Sequence, residues 1–221
     1  MDWQAIFLSL KLALWVVALL LPAGLVLAWL LVYGRFRGKI LLDALVFLPM
    51  VLPPTVLGFY LIVAMGPRSP VGRLWEAVLG QPLVFSFSGL VVASVLLNIP
   101  FFIQPFVSAL AGVDRKFLEV ASTLGARPLG VYLRVAVPLA WRGLVAGVIM
   151  TFAHAIGEFG VVLMVGGNLP GVTRTASIAL FDQVQALDME GANQTALFLL
   201  ALSFGVLLCT SVLRAKERPW S

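Results

Sequence analysis

The chain of 221 residues consists mainly of long apolar runs separated by short polar connectors. Five such runs extend approximately over residues 12–32, 40–65, 87–110, 144–165 and 195–213. Each has about 19 to 26 residues, and at about 1.5 Å per residue a helix of that length crosses a hydrocarbon layer about 30 Å thick. The pattern predicts an all-α, polytopic membrane protein with five transmembrane helices in a single domain, residues 1–221.

The composition agrees with this prediction. Hydrophobic residues make up 61% of the chain and charged residues 11%, whereas about a quarter of the residues in soluble domains are charged. The single cysteine, Cys209, lies in the fifth run, so an intrachain disulfide is excluded and an apolar packing role is favoured. The first run is too long for a cleaved signal, and its basic flank follows it.

The distribution of Lys and Arg predicts the orientation in the membrane. One side carries eleven of these residues, namely Arg35, Arg37, Lys39, Arg115, Lys116, Arg127, Arg134, Arg142, Arg214, Lys216 and Arg218. The other side carries four: Lys11, Arg68, Arg73 and Arg174. The positive-inside rule therefore places the amino terminus outside and the carboxyl terminus in the cytoplasm. The net charge of +5 follows from this topology and gives no reason to expect a nucleic-acid partner.

The connector at residues 112–142, between the third and fourth runs, is basic and predicted to be helical. Asp114 is a suitable N-cap for a helix from Arg115 to Leu124, and Gly125 suits the left-handed position after a helix end. Pro128 fits the first turn of a second helix, which we expect to run toward Arg134. Pro138 marks the expected entry into the fourth run.

The first predicted helix of this connector has a narrow apolar stripe. The stripe consists of Phe117, Val120, Ala121 and Leu124, spaced three or four residues apart. A helical hairpin with such a stripe can dock in a groove of a partner protein. It can also lie on the bilayer surface with its basic residues against anionic headgroups. The residues alone leave both interpretations open.

A motif in this connector resembles the EAA loop of bacterial ATP-binding cassette (ABC) importer permeases. It reads Glu119-Val120-Ala121-Ser-Thr-Leu-Gly125, then nine residues, then Val135-Ala-Val137-Pro138. The family pattern is Glu-Ala-Ala, three residues, Gly, nine residues, Ile, any residue, Leu-Pro. The resemblance implies the MetI-like permease fold and a hairpin that sits in a cleft of a separate ATPase. It also implies that Glu119 helps to fix the hairpin and that Gly125 supplies its turn, and Phe117, Val120 and Leu124 are our inferred insertion surface. The candidate residues for coupling to the ATPase are Phe117, Glu119, Val120, Ala121, Leu124, Gly125 and Pro138.

Further segments resemble the molybdate type of these permeases. They are the Pro-rich segment 48–60, the sequence Gly157-Glu158-Phe159-Gly160, and the stretch 166–182. Sulfate permeases share the Gly-Glu-Phe/Tyr-Gly sequence but diverge after it, and tungstate is too similar to molybdate to be separated. The resemblance implies an external oxyanion-binding protein and two copies of an ATPase that binds ATP–Mg. It implies no cofactor on this chain. Five spans form a thin wall around a pore, which favours a homodimer in the bacterial inner membrane.

Polar and helix-breaking residues inside the runs are candidates for the translocation pathway or gate. They are Pro53, Pro54 and Thr55 in the second run, Asn98 and Gln104 in the third, and Gly157, Glu158 and Gly160 in the fourth. Prolines free backbone carbonyls, which suits either a moving break or a static kink. The amides can donate hydrogen bonds to an oxyanion or can join helices. Gly143 and Gly147 have the spacing of a close helix contact, within the chain or between subunits.

A rival hypothesis is a proton-coupled secondary transporter. His154 and Glu158 are four residues apart and are expected on one helical face, where they could relay protons. A carboxylate in the path would, however, repel a dianion, and the EAA-like loop would then have no role.

The sequence contains no phosphate-binding Gly-x-x-x-x-Gly-Lys-Ser/Thr loop, no His/Cys cluster and no Gly-x-Ser-x-Gly elbow. We therefore expect a transport subunit with no catalytic residue, metal site or ATP site. The outer connector, residues 166–193, is expected to face the binding protein and to contain a surface helix at about 176–187.

Overall fold

The structure, a computed structural model, describes residues 1–215. Lys216 and Arg218 of the predicted basic tail lie outside the described residues. The helices are α1 Trp3–Tyr33, α2 Lys39–Val51, α3 Pro54–Met65, α4 Pro70–Leu79, α5 Phe87–Ala111, α6 Arg115–Thr123, α7 Pro128–Val131, α8 Val137–Leu139, α9 Trp141–Gly157, α10 Gly160–Gly166, α11 Ala176–Gln185 and α12 Met189–Ala215. A π-helical turn, Tyr132–Ala136, joins α7 to α8. The all-α prediction is confirmed for this part of the chain.

The centre of the molecule is the packing of α1, α5 and α9. Leu12 and Leu20 of α1 and Phe102 and Phe106 of α5 are completely buried there, next to Ile156 of α9. The rings of Phe102 and Phe106 meet edge to face, with their centroids 6.3 Å apart. Helix α5 therefore forms the central element of the fold, because α1 and α9 both pack on it.

A second apolar cluster lies on another side of α5. It joins Leu61 and Met65 of α3 with Leu97 of α5 and with Val161 and Val165 of α10. Helix α12 is much less buried and packs on α9 and α11. The second cluster fixes α3 and α10, which contain Pro54, Thr55 and Gly160 of the predicted gate residues.

Two of the predicted spans are interrupted. The second run was expected to be one helix over 40–65, but it ends at Val51 and resumes at Pro54, with a bend of 116°. The fourth run, 144–165, is divided between α9 and α10 at Glu158 and Phe159. Proline explains the first break, since its ring prevents the helix from continuing at Leu52. By contrast, α5 continues as one helix through its two internal prolines.

The number of membrane spans depends on how the bent pairs are counted. By length and composition α1, α5 and α12 can each cross a membrane. Two bent pairs could each form one further span: α2 with α3, and the segment 128–139 with α9, which is bent by 74°. If both pairs are counted, the number of spans is five. The five-span count stays a prediction. Pro138 was expected at the entry of the fourth run, but the chain first bends at Ala140 and α9 begins at Trp141.

The two small residues of the fourth run mediate a contact within the chain. Gly143 and Gly147 are buried against α5. A Cβ atom added to Gly147 would lie 2.5 Å from the carbonyl oxygen of Phe102, and one added to Gly143 would lie 2.6 Å from that of Pro105. Such close backbone approach is the usual reason for small residues at membrane helix contacts. The alternative that this pair forms a subunit interface is therefore not supported.

The outer connector folds onto the helix bundle. The predicted surface helix is α11, and its first turn is buried. The amide of Ala176 donates a hydrogen bond to Ser9 Oγ at 2.8 Å, which ties α11 to α1. The connector is thus anchored to the spans.

Candidate functional site

The first arm of the connector at 112–142 is a capped helix that ends in a left-handed turn. Asp114 Oδ1 accepts a hydrogen bond from the amide of Lys116 at 2.9 Å, as an N-cap does. At the other end Gly125 has φ +84°. The amide of Gly125 donates to Ser122 O at 3.0 Å and that of Ala126 to Ala121 O at 3.2 Å, the paired bonds of a Schellman motif. The predicted cap and turn are both confirmed.

The predicted apolar stripe of α6 is exposed to solvent. The exposed fractions are 57% for Phe117, 59% for Val120 and 83% for Leu124, whereas Ala121 is partly buried. Ala121 and Leu124 line a groove of about 580 Å³ between α6 and the second arm, which contributes Leu129. Because an exposed stripe of this kind costs solvation free energy, it is typical of a surface that a partner covers.

The second arm of the hairpin is attached firmly to the bundle. Tyr132 is buried, and its hydroxyl donates a hydrogen bond to the carbonyl oxygen of Leu25 in α1 at 2.7 Å. Its ring meets that of Tyr33 edge to face, with the centroids 5.9 Å apart. Sequence reasoning did not identify Tyr132, since no local pattern shows which residue of the second arm contacts α1.

The remaining coupling candidates, Glu119 and Pro138, have exposed side chains. Glu119 lines a cleft between α6 and the chain after α1. It forms no ion pair with another described residue. Pro138 lies in α8, two residues before the bend at Ala140. The structure therefore places all seven coupling candidates in one hairpin, with the apolar side chains of Phe117, Val120 and Leu124 exposed.

The two helix breaks meet each other in space. A Cβ atom added to Gly160, at the start of α10, would lie 2.8 Å from Cβ of Pro54, at the start of α3. One turn further, a Cβ atom on Gly58 would lie 2.8 Å from Cβ of Met164. Glycines at both positions allow α3 and α10 to approach closely. Pro53, Pro54 and Thr55 are otherwise exposed.

Glu158 stabilises the break between α9 and α10. Only 8% of it is exposed, and its Oε1 accepts a hydrogen bond from the amide of Val161 at 2.9 Å. Its own carbonyl accepts a hydrogen bond from Ser177 Oγ at 2.6 Å, which links the break to α11. The carboxylate therefore caps the start of α10, where unpaired amides and the helix dipole favour a negative charge. Gly157, the last residue of α9, is exposed.

Asn98 and His154 form a contact between α5 and α9. His154 Nδ1 lies 3.1 Å from Asn98 Oδ1, and Asn98 Nδ2 donates to Ser94 O at 2.8 Å. The His154 ring stacks on Phe101 with the centroids 3.8 Å apart. Asn98 is completely buried, whereas Gln104 is exposed on the same helix. The two amides that were proposed together for the pathway thus occupy different environments.

His154 and Glu158 do not lie on one continuous helix. Helix α9 ends at Gly157, between them, and the backbone of Glu158 is extended with ψ 131°. His154 contacts Asn98, and the carboxylate of Glu158 contacts the amide of Val161. The expectation that their spacing places both on one helical face is therefore wrong, which weakens the proton-relay hypothesis.

A polar cluster in the outer connector was also missed from the sequence. Asn168 Oδ1 accepts a hydrogen bond from Arg174 Nε at 2.7 Å, and its Nδ2 donates to Asp182 Oδ2 at 2.6 Å. Arg174 Nε lies 3.5 Å from Asp182 Oδ2. This cluster holds the 168–174 loop against α11. Among the described residues no group of three or more His, Cys, Asp or Glu side chains could hold a metal ion.

Comparison with known proteins identifies the family. Residues 20–217 match the model of the binding-protein-dependent transport system inner membrane component family. A molybdenum transport system permease protein of Azotobacter vinelandii is 48% identical over 206 residues, 93% of this chain and 91% of the relative. A protein of the same description in Escherichia coli (strain K12) is 38% identical over 218 residues, 98% and 95% of the two chains. A probable sulfate transport system permease protein of Nephroselmis olivacea is 32% identical over 197 residues, 89% and 69% of the two chains.

Solved structures show the same fold at low sequence identity. A bacterial alginate ABC transporter, crystallised in complex with an alginate pentasaccharide-bound periplasmic protein, contains a chain that superimposes with a TM-score of 0.76 at 13% identity. The match covers 94% of this chain and 76% of the other. The family match extends over nearly the whole chain, and it includes the EAA-like hairpin and both helix breaks. The chain belongs to the family of binding-protein-dependent transport system inner membrane components.

Proposed function

We propose that this chain is the permease subunit of an ATP-driven importer of molybdate. The observation that carries the proposal is the identity of 48% over 93% of the chain with a molybdenum transport permease. The molybdate-type segments at 48–60 and 157–182 contain the two helix breaks and the cluster of Asn168, Arg174 and Asp182. The subunit transports its substrate and carries out no covalent chemistry itself.

The proposed assembly is a homodimer with two ATPase subunits and an external oxyanion-binding protein. The chain forms one transmembrane domain of five spans, with its amino terminus outside and its carboxyl terminus in the cytoplasm. The excess of Lys and Arg on the side of the α6–α7 hairpin supports this orientation. ATP–Mg binds to the ATPase, and this chain holds no cofactor.

The hairpin is the proposed point of attachment for the ATPase. The exposed stripe of Phe117, Val120 and Leu124 inserts into a groove of that subunit. The second arm is bonded to α1 through Tyr132 and continues, after the bend of 74°, directly into α9. A displacement of the hairpin by the ATPase therefore moves α1 and α9 together, and α5 with them because both pack on it. Alternating access follows from this movement.

The contact between the two helix breaks is the proposed gate region. Irregular backbone at membrane depth is tolerated only where protein or water covers it. The exposed Pro53, Pro54 and Thr55 thus belong at the partner subunit or at the aqueous pathway. Glu158 and Gly160 support the same region from α10, Gly157 adjoins it, and Gln104 is exposed on α5. We assign Asn98 to the support of this region through its contact with His154.

Reconstitution tests the function directly. The chain is placed in proteoliposomes with the ATPase and the oxyanion-binding protein, and uptake of molybdate, tungstate and sulfate is measured with and without ATP. We expect ATP-dependent uptake of molybdate. Uptake that follows a pH gradient without ATP would instead support the proton-coupled transporter.

Sulfate transport is the second candidate, because the sulfate permease relative is 32% identical over 89% of the chain. Tungstate, with nearly the same size and charge as molybdate, is expected to compete with it. The same uptake assay separates the candidates, since a sulfate permease would take up sulfate in preference when the matching binding protein is supplied.

A pair of charge substitutions tests the docking surface. Leu124→Glu places a carboxylate in the stripe, whereas Ser122→Glu adds the same charge on the opposite face of α6. Both side chains are exposed, so we expect both variants to fold and insert. Only Leu124→Glu should lose association with the ATPase in a co-purification assay. Equal association of the two variants would refute docking through the stripe.

A further inference from the structure

A cleft of about 760 Å³ separates the chain after α1 from helix α6. Three basic side chains from three different segments line it: Arg35 after α1, Lys39 at the start of α2, and Arg115 at the start of α6. Glu119 is the only acidic residue among the lining residues. The balance of three cations against one carboxylate gives the cleft a positive charge.

These cations have no acidic partner within the described residues. No carboxylate in residues 1–215 forms an ion pair within 4.0 Å of Arg35, Lys39 or Arg115. The cleft therefore carries unneutralised positive charge.

Apolar side chains also line the cleft. Val32 near the end of α1, Val113 just before α6 and Leu118 in α6 are half-buried, whereas Leu110 at the end of α5 is buried. The cleft thus lies where the apolar helices end and the basic connector begins. A ligand that matches both kinds of lining residue has an anionic head and a hydrocarbon body. We propose that the cleft binds the phosphate headgroup of an anionic phospholipid, with the upper part of its acyl chains against the half-buried Val32 and Val113.

The cleft is distinct from the proposed docking surface of the ATPase. At about 100° per residue, Leu118, Glu119 and Ser122 of the cleft lie on the face of α6 opposite to Val120 and Leu124. A bound lipid and a docked ATPase can therefore occupy α6 at the same time. The lipid joins the ends of α1 and α2 to the first arm of the hairpin. It would restrict movement of that arm relative to the spans.

The charge at the cleft sets the expected effect of mutations. Each Lys or Arg near an anionic bilayer surface contributes enough attraction for about a fivefold change in affinity. Arg35→Gln, Lys39→Gln and Arg115→Gln should each weaken binding by about that factor. Arg37→Gln is the matched control, since Arg37 belongs to the same loop and is exposed but does not line the cleft.

The test uses the purified full-length chain in nanodiscs of phosphatidylcholine that contain a small fraction of phosphatidylglycerol. Retained phosphatidylglycerol is counted by native mass spectrometry after release from the nanodisc. We expect one tightly retained lipid per chain, weaker retention in the three cleft variants, and no change in Arg37→Gln. Equal retention in all four variants would overturn the proposal. Thermal unfolding in pure phosphatidylcholine verifies that the variants are folded.

Two further arms separate the lipid from other anions and from protein. Inorganic phosphate and molybdate are titrated against the lipid-loaded chain; a soluble oxyanion that displaces the lipid at millimolar concentration would show that the cleft is an oxyanion site. Association with the ATPase is measured for the same variants. If the cleft variants lose the ATPase and retain the lipid, the cleft is a protein-docking surface and the proposal is wrong. The cleft lies in the cytoplasmic leaflet only if the proposed orientation holds, but retention of the lipid does not depend on that orientation.

Discussion

The left-handed turn at Gly125 allows a sharp test of how the hairpin presents its apolar stripe. Gly125 has φ +84°, and a Cβ atom added there would meet no atom within 4 Å. Alanine at this position is therefore opposed by backbone conformation alone, which costs about 1–2 kcal/mol for a residue with a Cβ atom in this region. Since about 1.4 kcal/mol corresponds to a factor of ten, the population of the native turn should fall about 5- to 30-fold relative to competing conformations.

The assay is a titration of the reconstituted chain with the proposed ATPase subunit. Gly125→Ala should weaken the apparent affinity by up to the same factor, because only the native turn presents the stripe correctly. Gly125→Asn should be milder, since asparagine tolerates left-handed backbone better than alanine. The matched control is Gly130→Ala in α7 of the same hairpin. Gly130 also has open space around its Cβ position but does not have positive φ, so alanine fits there.

If Gly125→Ala and Gly130→Ala bind the ATPase with the same affinity, the left-handed turn does not determine the docking geometry. Membrane insertion and thermal unfolding should be similar in both variants, because the turn is exposed and away from the core. A large loss of stability in Gly125→Ala alone would mean that the hairpin contributes to folding.

Three further predictions concern the bundle. Tyr132→Phe removes the hydrogen bond to Leu25 O and should lower the free energy of unfolding by about 0.5–1.5 kcal/mol, as measured by thermal unfolding. The amount of molybdate imported per ATP hydrolysed should also fall. Gly160→Ala brings a methyl group against Pro54, and this overpacking should lower the free energy of unfolding by about 1–3 kcal/mol. Uptake should change while association with the ATPase persists. Unchanged uptake would show that this contact is not part of the gate. Glu158→Gln keeps an acceptor for the amide of Val161 and should retain ATP-driven uptake, whereas a proton relay would lose all transport.

Much of the hairpin was predictable because its signals are local. Asp114 caps α6 through an amide two residues away, and Gly125 closes it through bonds within five residues. Such interactions depend only on sequence neighbours, so a single sequence reveals them. The apolar runs were equally visible, since the length of an apolar helix is a local property.

The helix breaks show where local reasoning is incomplete. Prolines in the second run indicated a kink, but whether a proline breaks a helix depends on its surroundings. The helix of the second run is interrupted at Pro53, whereas α5 continues through Pro100 and Pro105. The break after Gly157 has no proline at all. Glu158 sustains it by capping α10 and by accepting a hydrogen bond from Ser177 of α11, and the latter partner is distant in sequence.

The sequence by itself thus determined the class of protein, its apolar helices, the hairpin with its cap and turn, and the family resemblance that suggests its transport function. Only the tertiary structure decided that Gly147 faces α5, that Pro54 meets Gly160, and that Tyr132 binds α1. The physical reason is the range of the interactions. Hydrophobic length and capping are encoded within a few residues, whereas the pairing of helices depends on the simultaneous packing of segments up to 167 residues apart.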